Sequence, residues 1–193
     1  VYFVQLPGSG AGPGWPYMRE QQRLAMDVPH TGMAVTIDLL DDDIHPANKV
    51  DVGRRLARWA LAHTYGKFIP FSGPLLSEVE TDYRRIIVHF HHAESGLMVA
   101  KKTGLAAPQE TADSVSHVEV AGSDGIWHPA IAAIKATTLI AHSDQVRNPI
   151  AVRYGYAISP QDCNLYNRDG LPASPFCSHP EMLDYQPQTQ QRR

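Results

Sequence analysis

The sequence predicts an α/β unit followed by a β-sandwich-like unit, and three observations carry that reading. Up to residue 69, two strand-like runs alternate with two helix-like runs. From about Pro70 onward, short strand-like runs follow one another with turn residues between them and no helical period. The last stretch, residues 181–193, is polar and carries no such pattern. The expected units are therefore 1–69, 70–180 and a polar tail over 181–193.

"VYFVQLP" is β-branched and aromatic over a short span, as a buried strand requires. "GSGAGPGWP" is a Gly/Pro loop. "PYMREQQRLAMD" opens on Pro16, has no internal breaker and sets Tyr17, Gln21, Leu24 and Ala25 on one face, which predicts a helix. "GMAVTIDLL" is a second strand. In "HPANKVDVGRRLARWALAHTYG", Val52, Leu56, Trp59, Ala60 and His63 recur at helical spacing, with Pro46 at the entrance and Gly66 at the end. Trp59 is expected in the core. Strand–helix–strand–helix order predicts two parallel strands in one sheet. The later runs "RRIIVHFHH", "SHVEVAG", "WHPAIAAI", "TTLIAHS" and "PIAVRYGYA" predict antiparallel strands joined by turns such as "SDG" and "RNP".

Composition sets limits on function. Hydrophobic residues make up 43% and charged residues 19%, which is a globular balance. A net charge of −3 lacks the basic excess of a nucleic-acid-binding surface, so no nucleic-acid partner is expected. No apolar run reaches the roughly 18 residues a membrane span needs, so no membrane partner is expected either. Cys163 and Cys177 are too few for a disulfide framework, and spacing alone does not decide whether they are bridged. The chain opens inside a strand-like run on Val1, with no charged and apolar leader. It reads as a piece of a longer protein, whose remaining part carries any targeting signal and some of the chemistry.

The chemistry concentrates in "LLDDDIHPANK", where Asp41, Asp42 and Asp43 stand just before His45. A histidine acting as general base must be held in one tautomer. A carboxylate on one ring nitrogen does this and leaves the other nitrogen free to take a proton. Asp42 stands three residues before His45 and Asp43 two before, and both can curl back to it in a sharp turn. The turn follows a strand and precedes the long helix, at the sheet edge where open α/β sheets bind ligands. The plainer alternative is a solvated acidic loop whose side chains cap the helix.

The string "HTGMAVTIDLLDDDIHPANKVDVGRRLARWALAHTYG" resembles the sialate O-acetylesterase family of SGNH (GDSL-like) hydrolases. "YFVQLP", "REQQ", "VEVAGSDGIWHPA", "VRNPIAVRYGYA" and "NLYNRDGLPASPF" are also similar to that family and occur in the same order. The resemblance spans most of residues 2–177. It implies part of an SGNH-type three-layer parallel sheet, followed by a β-sandwich-like accessory domain. It further implies serine-dependent removal of O-acetyl groups from sugars, sialic acid or an acetylated polysaccharide, in the periplasm or outside the cell. His45 is then the catalytic base with Asp42 or Asp43 as its partner, and neither a cofactor nor a metal is required. The Gly-x-Ser-Asn nucleophile block of the family is absent from this sequence, as are the blocks that supply oxyanion donors. The chain therefore resembles the C-terminal part of an esterase and is expected to be inactive alone.

Two other functions fit the same residues. One is a non-catalytic carbohydrate-binding or scaffold protein. The other is a metal-dependent hydrolase using Asp41–Asp43, His45 and a histidine from the second half. Ser9 follows a strand, but Pro7 and Ala11 stand where a nucleophile elbow needs glycines. His89 and His91 share one strand face and could seat a metal, though no partner ligands are evident in the sequence. Arg153, Tyr154, Asn164 and Tyr166 are expected to tie the two halves together by buried hydrogen bonds, with glycan contact as the alternative.

Overall fold

The structure, a computed structural model, describes residues 1–8, 12–39, 43–183 and 185. The first half contains β1 (Tyr2–Val4), α1 (Gly14–Leu24), β2 (Gly32–Ala34) and α2 (Lys49–His63). β1 and β2 pair in parallel, with Tyr2 opposite Gly32, Phe3 opposite Met33 and Val4 opposite Ala34. The crossover between them runs through α1 and a short 3-10 turn at Ala25–Asp27. Parallel pairing follows from that order, because two parallel strands need a long connection.

β2 is shorter than "GMAVTIDLL" suggests. The Thr36 hydroxyl donates to the Gln5 carbonyl at 2.7 Å, and the Leu39 amide donates to the Thr36 carbonyl at 3.0 Å. These bonds turn the chain while Val35 and Ile37 stay buried. The long helix also starts later than Pro46. Asn48 caps it, accepting from the Asp51 amide at 3.0 Å, and Pro46 is buried ahead of the cap.

The second half is antiparallel. β3 (Leu75–Asp82), β4 (Arg85–His91), β9 (Ile131–Lys135) and β10 (Thr138–His142) form one sheet in the order β3-β4-β10-β9. β7 (Val118–Ala121), β8 (Trp127–Pro129), β11 (Ala151–Tyr154) and β13 (Phe176–Cys177) form another, ordered β13-β11-β7-β8. β5 (Leu97–Lys101), β6 (Gln109–Glu110) and β12 (Leu165–Asn167) form a third, ordered β12-β5-β6. Alternation decides which faces meet: Ile86 and Val88 of β4 and Leu139 and Ala141 of β10 are fully buried. They join Val120, Val152, Tyr154 and Phe176 of the second sheet in one apolar cluster.

Met33, Val35 and Ile37 from the first half belong to that same cluster. Polar ties run alongside it. Gln5 Nε2 donates to Ser174 Oγ at 2.8 Å, and the Cys177 amide donates to Glu20 Oε2 at 3.2 Å. The buried Arg19 guanidinium donates to the carbonyls of Pro7, Ala157 and Ile158. Burial lowers its pKa to about 10. Gly73 passes so near the 171–172 backbone that a Cβ there would lie 2.0 Å from the Pro172 carbonyl oxygen. Cys163 and Cys177 are both free and buried, and burial pushes each thiol up to about 12.

Candidate active site

His45 lies beyond the carboxyl end of β2, four residues before α2 begins. Asp43 reaches it by a local turn. One carboxylate oxygen, Asp43 Oδ1, accepts from the His45 amide at 3.0 Å and contacts ring Nδ1 at 2.9 Å. An aspartate that bonds the backbone two residues ahead closes an Asx turn, and here the same oxygen also takes the ring. The hydrogen bond from the His45 ring, and then the one from its amide, lower the Asp43 pKa. Both side chains are open to solvent, at 72% for His45 and 67% for Asp43. Asp41, Asp42 and Ser9 lie outside the described residues.

The segment carrying His45 is braced from two sides. Behind it, Asp38 and Arg55 form a two-pronged ion pair, with Oδ1–Nη1 at 2.6 Å and Oδ2–Nη2 at 2.7 Å. Arg55 Nη1 also donates to the Val35 carbonyl at 2.6 Å, and Tyr166 donates its hydroxyl to Asp38 Oδ2 at 3.0 Å. Burial works against the Arg55 charge, but Asp38 outweighs it and the Arg55 pKa is raised. Tyr166 is pushed far up, first by burial and then by the Asp38 charge.

Ahead of it, the loop after β5 is clamped to the start of α2. Lys102, with its side chain only 6% exposed, pairs with Asp51 Oδ2 at 2.7 Å. Its ammonium also donates to the carbonyls of Gly104 at 2.5 Å and Ala106 at 2.9 Å, so three acceptors surround three protons. Asn48 Nδ2 donates to Asp51 Oδ2 at 2.6 Å and to the Gly104 carbonyl at 3.1 Å. Burial acts to raise the Asp51 pKa, and the bonds from Lys102 and Asn48 more than reverse it, so it is lowered. Between this loop and the residues flanking His45 lies a cavity of about 520 Å³, lined by Leu39, Pro46, Ala47, Lys102 and Leu105 among others. A second cavity of about 370 Å³ opens on the other side of Lys102, over Asp38, Cys163 and Tyr166.

The remaining candidates sort by their contacts. Tyr166 joins the halves through Asp38. Asn164 accepts from the Ser116 amide at 2.9 Å, and Tyr154 accepts from the Leu165 amide at 3.1 Å; both bonds lie within the second half. Arg153 pairs with Glu119 at 2.7 Å and stacks between Trp127 and Tyr156, its guanidinium carbon 4.4 and 5.0 Å from their ring centres. Among the described residues, the group able to hold a metal is Glu78, Glu80 and His89, which does not include His45 or Asp43. Sequence reasoning missed Asp38, Arg55 and Lys102, whose partners lie far away in the chain. Among the described residues no helix is long and apolar enough to cross a membrane.

No family model matches the chain, and no curated protein matches it. Among solved structures it is similar to XAC1771, a carbohydrate acetylesterase from Xanthomonas citri, with 38% identity over 91% of this chain and a TM-score of 0.81. The chain spans 40% of the length of that protein. Over nearly all of its own length, then, it is similar to part of a carbohydrate acetylesterase.

Proposed function

We propose that the chain is the histidine-bearing part of a serine O-acetylesterase acting on acetylated sugars, of the sialate O-acetylesterase kind. The observation that carries this reading is the Asp43–His45 contact at the carboxyl end of a parallel strand pair. Likeness to a carbohydrate acetylesterase supports it. In this reading the architecture is part of an SGNH-type parallel sheet followed by a β-sandwich-like accessory domain. A protein of this kind would work in the periplasm or outside the cell.

The chemistry is acyl transfer. Asp43 accepts from the ring N–H at Nδ1, so the lone pair at Nε2 faces outward. A serine hydroxyl from outside the described residues gives its proton to Nε2 as its oxygen attacks the acetyl carbonyl. The protonated ring then returns that proton to the departing sugar oxygen, leaving an acetyl-serine. Water, deprotonated by the same nitrogen, releases acetate and restores the serine. The exposed ring fits a part whose partner surface is supplied by the rest of the protein. Asp38–Arg55 and Lys102–Asp51 hold the loop that carries the base.

The test is acetate release from O-acetylated sugars by the polypeptide encoded by the whole reading frame, beside the 193-residue chain. The whole polypeptide should turn over and the chain alone should not. His45→Ala in the whole polypeptide should lower kcat by about 10²–10⁴ while leaving its folding intact. A whole polypeptide that keeps its rate without His45 would remove the base from this scheme. Turnover by the chain alone would place the nucleophile within it.

A further inference from the structure

The outer face of the β3–β4 hairpin brings together three ligand-bearing side chains that play no part in the chemistry at His45. β3 and β4 pair with Leu75 opposite His91 and Leu76 opposite Phe90, and then the register shifts so that Glu78 stands opposite His89. Had the ladder run on without the shift, Ser77 would face His89. Glu78 would face Val88, which points into the core. The bulge therefore turns Glu78 outward, and Glu80, two residues on, follows it to the same face.

One ligand atom from each of Glu78, Glu80 and His89 lies within 4.8 Å of the others. His89 Nε2 is shielded from solvent and has no hydrogen-bond partner among the described residues. Glu80 Oε1 is 3.1 Å from it, close enough for attraction but without the alignment of a hydrogen bond. Two carboxylates on neighbouring outward positions repel each other, and the ion pair with His89 engages only Glu80.

We propose that Glu78, Glu80 and His89 form a divalent-metal site that clamps β3 to β4, and that its ion is Zn²⁺ or a similar first-row cation. A dication cancels the two carboxylate charges and gives Nε2 a direct bond in place of its unaligned contact with Glu80. One imidazole nitrogen beside two carboxylate oxygens favours Zn²⁺ over Mg²⁺, which binds through oxygen alone. Metal–ligand bonds of about 2.0–2.2 Å place tetrahedral ligand atoms roughly 3.4 Å apart, so closure needs side-chain movements of about 1 Å. The exposed glutamates can make that adjustment. Three protein ligands leave a fourth position for water. His91, which the sequence pairs with His89, takes no part: its ring lies beside His92, at 6.5 Å between centres.

Calorimetric titration of the metal-free chain with Zn²⁺ alone tests the site, with thermal melting of the same samples. One equivalent should bind and the melting temperature should rise, while Mg²⁺ at the same concentration does neither. Glu80→Gln and His89→Gln should each weaken Zn²⁺ binding by more than about tenfold, and His91→Gln should leave it unchanged. Both ligand variants change side chains on the solvent face, and circular dichroism of the metal-free proteins checks that they fold. Absence of micromolar binding, or full binding in either ligand variant, would overturn the assignment. So would loss of binding in His91→Gln alone.

Discussion

Asp38 and Arg55 meet in a buried two-pronged ion pair that fixes the turn after β2 to the middle of α2, and Tyr166 adds a third bond from β12. The two side chains are 0% and 8% exposed, so neither charge has water as an alternative partner. Their attraction must offset two desolvation penalties, and the pair as a whole contributes less than its short distances suggest. Removing one member is a different matter. Arg55→Met leaves the Asp38 carboxylate, among the described residues, with the Tyr166 hydroxyl as its partner, and should cost about 3–5 kcal/mol of folding stability in urea titrations. Tyr166→Phe leaves the ion pair whole and should cost about 1–3 kcal/mol. An Arg55→Met protein within about 1 kcal/mol of the parent would show that water reaches Asp38 after all.

Gly32 and Trp59 form a second junction between the same elements. A Cβ on Gly32 would sit 2.6 Å from two atoms of the Trp59 ring and 2.7 Å from Tyr2. The indole is held in place, 3% exposed, with Nε1 donating to the Met33 carbonyl at 2.9 Å and the ring centre of Phe71 4.7 Å away. Gly32→Ala should therefore destabilise by about 1–3 kcal/mol through overpacking. Trp59→Phe loses the indole hydrogen bond but frees space. The double variant should then be less destabilised than the sum of the two single changes. Strict additivity in chemical denaturation would mean that the strand, rather than the ring, absorbs the new methyl group.

Much of this architecture is readable from residue order alone. α1 and α2 announce themselves by helical spacing, and β4 and β10 as short strand-like runs between turns, although the unbroken apolar triplets 86–88 and 139–141 do not say which face is buried. The Asp43–His45 contact is equally legible because it is local: a single residue, Ile44, lies between the two. The sequence leaves Asp42 and Asp43 open, and the ring contact described here is to Asp43. What the sequence hides is long-range. Tyr166 lies 128 residues from Asp38, and nothing in "TID" or "NLYN" says that they meet. The end of β2 depends on a bond from Thr36 to Gln5, 31 residues away. Glu78 and Glu80 join His89 because of a bulge, which shifts register without leaving a periodic trace. The shared apolar cluster is hidden for the same reason, since Met33, Val35 and Ile37 look like an ordinary strand whatever they pack against.

His92 gives the fold a pH dependence of definite sign. Its ring stands among Phe71, Trp59 and His91, with centres 4.9, 6.4 and 6.5 Å away. Burial lowers its pKa below 6.5, the nearby Glu94 charge opposes that, and His91 and His63 reinforce it. The folded chain then holds fewer protons at this site than the unfolded chain does. Stability from this source is complete above the unfolded value of 6.5 and is lost as pH falls below it, through the lower folded value. The urea midpoint should therefore fall between pH 7.5 and pH 5.5, approximate limits chosen to bracket the free imidazole pKa. His92 has a positive φ of 61°, so asparagine, which tolerates that conformation, is the replacement of choice. The Asn167 side chain can still donate to the backbone carbonyl of residue 92, as it does now at 2.9 Å. His92→Asn should flatten the acid side of the stability profile while keeping the fold. An unchanged slope in that variant would show that His92 is not its source.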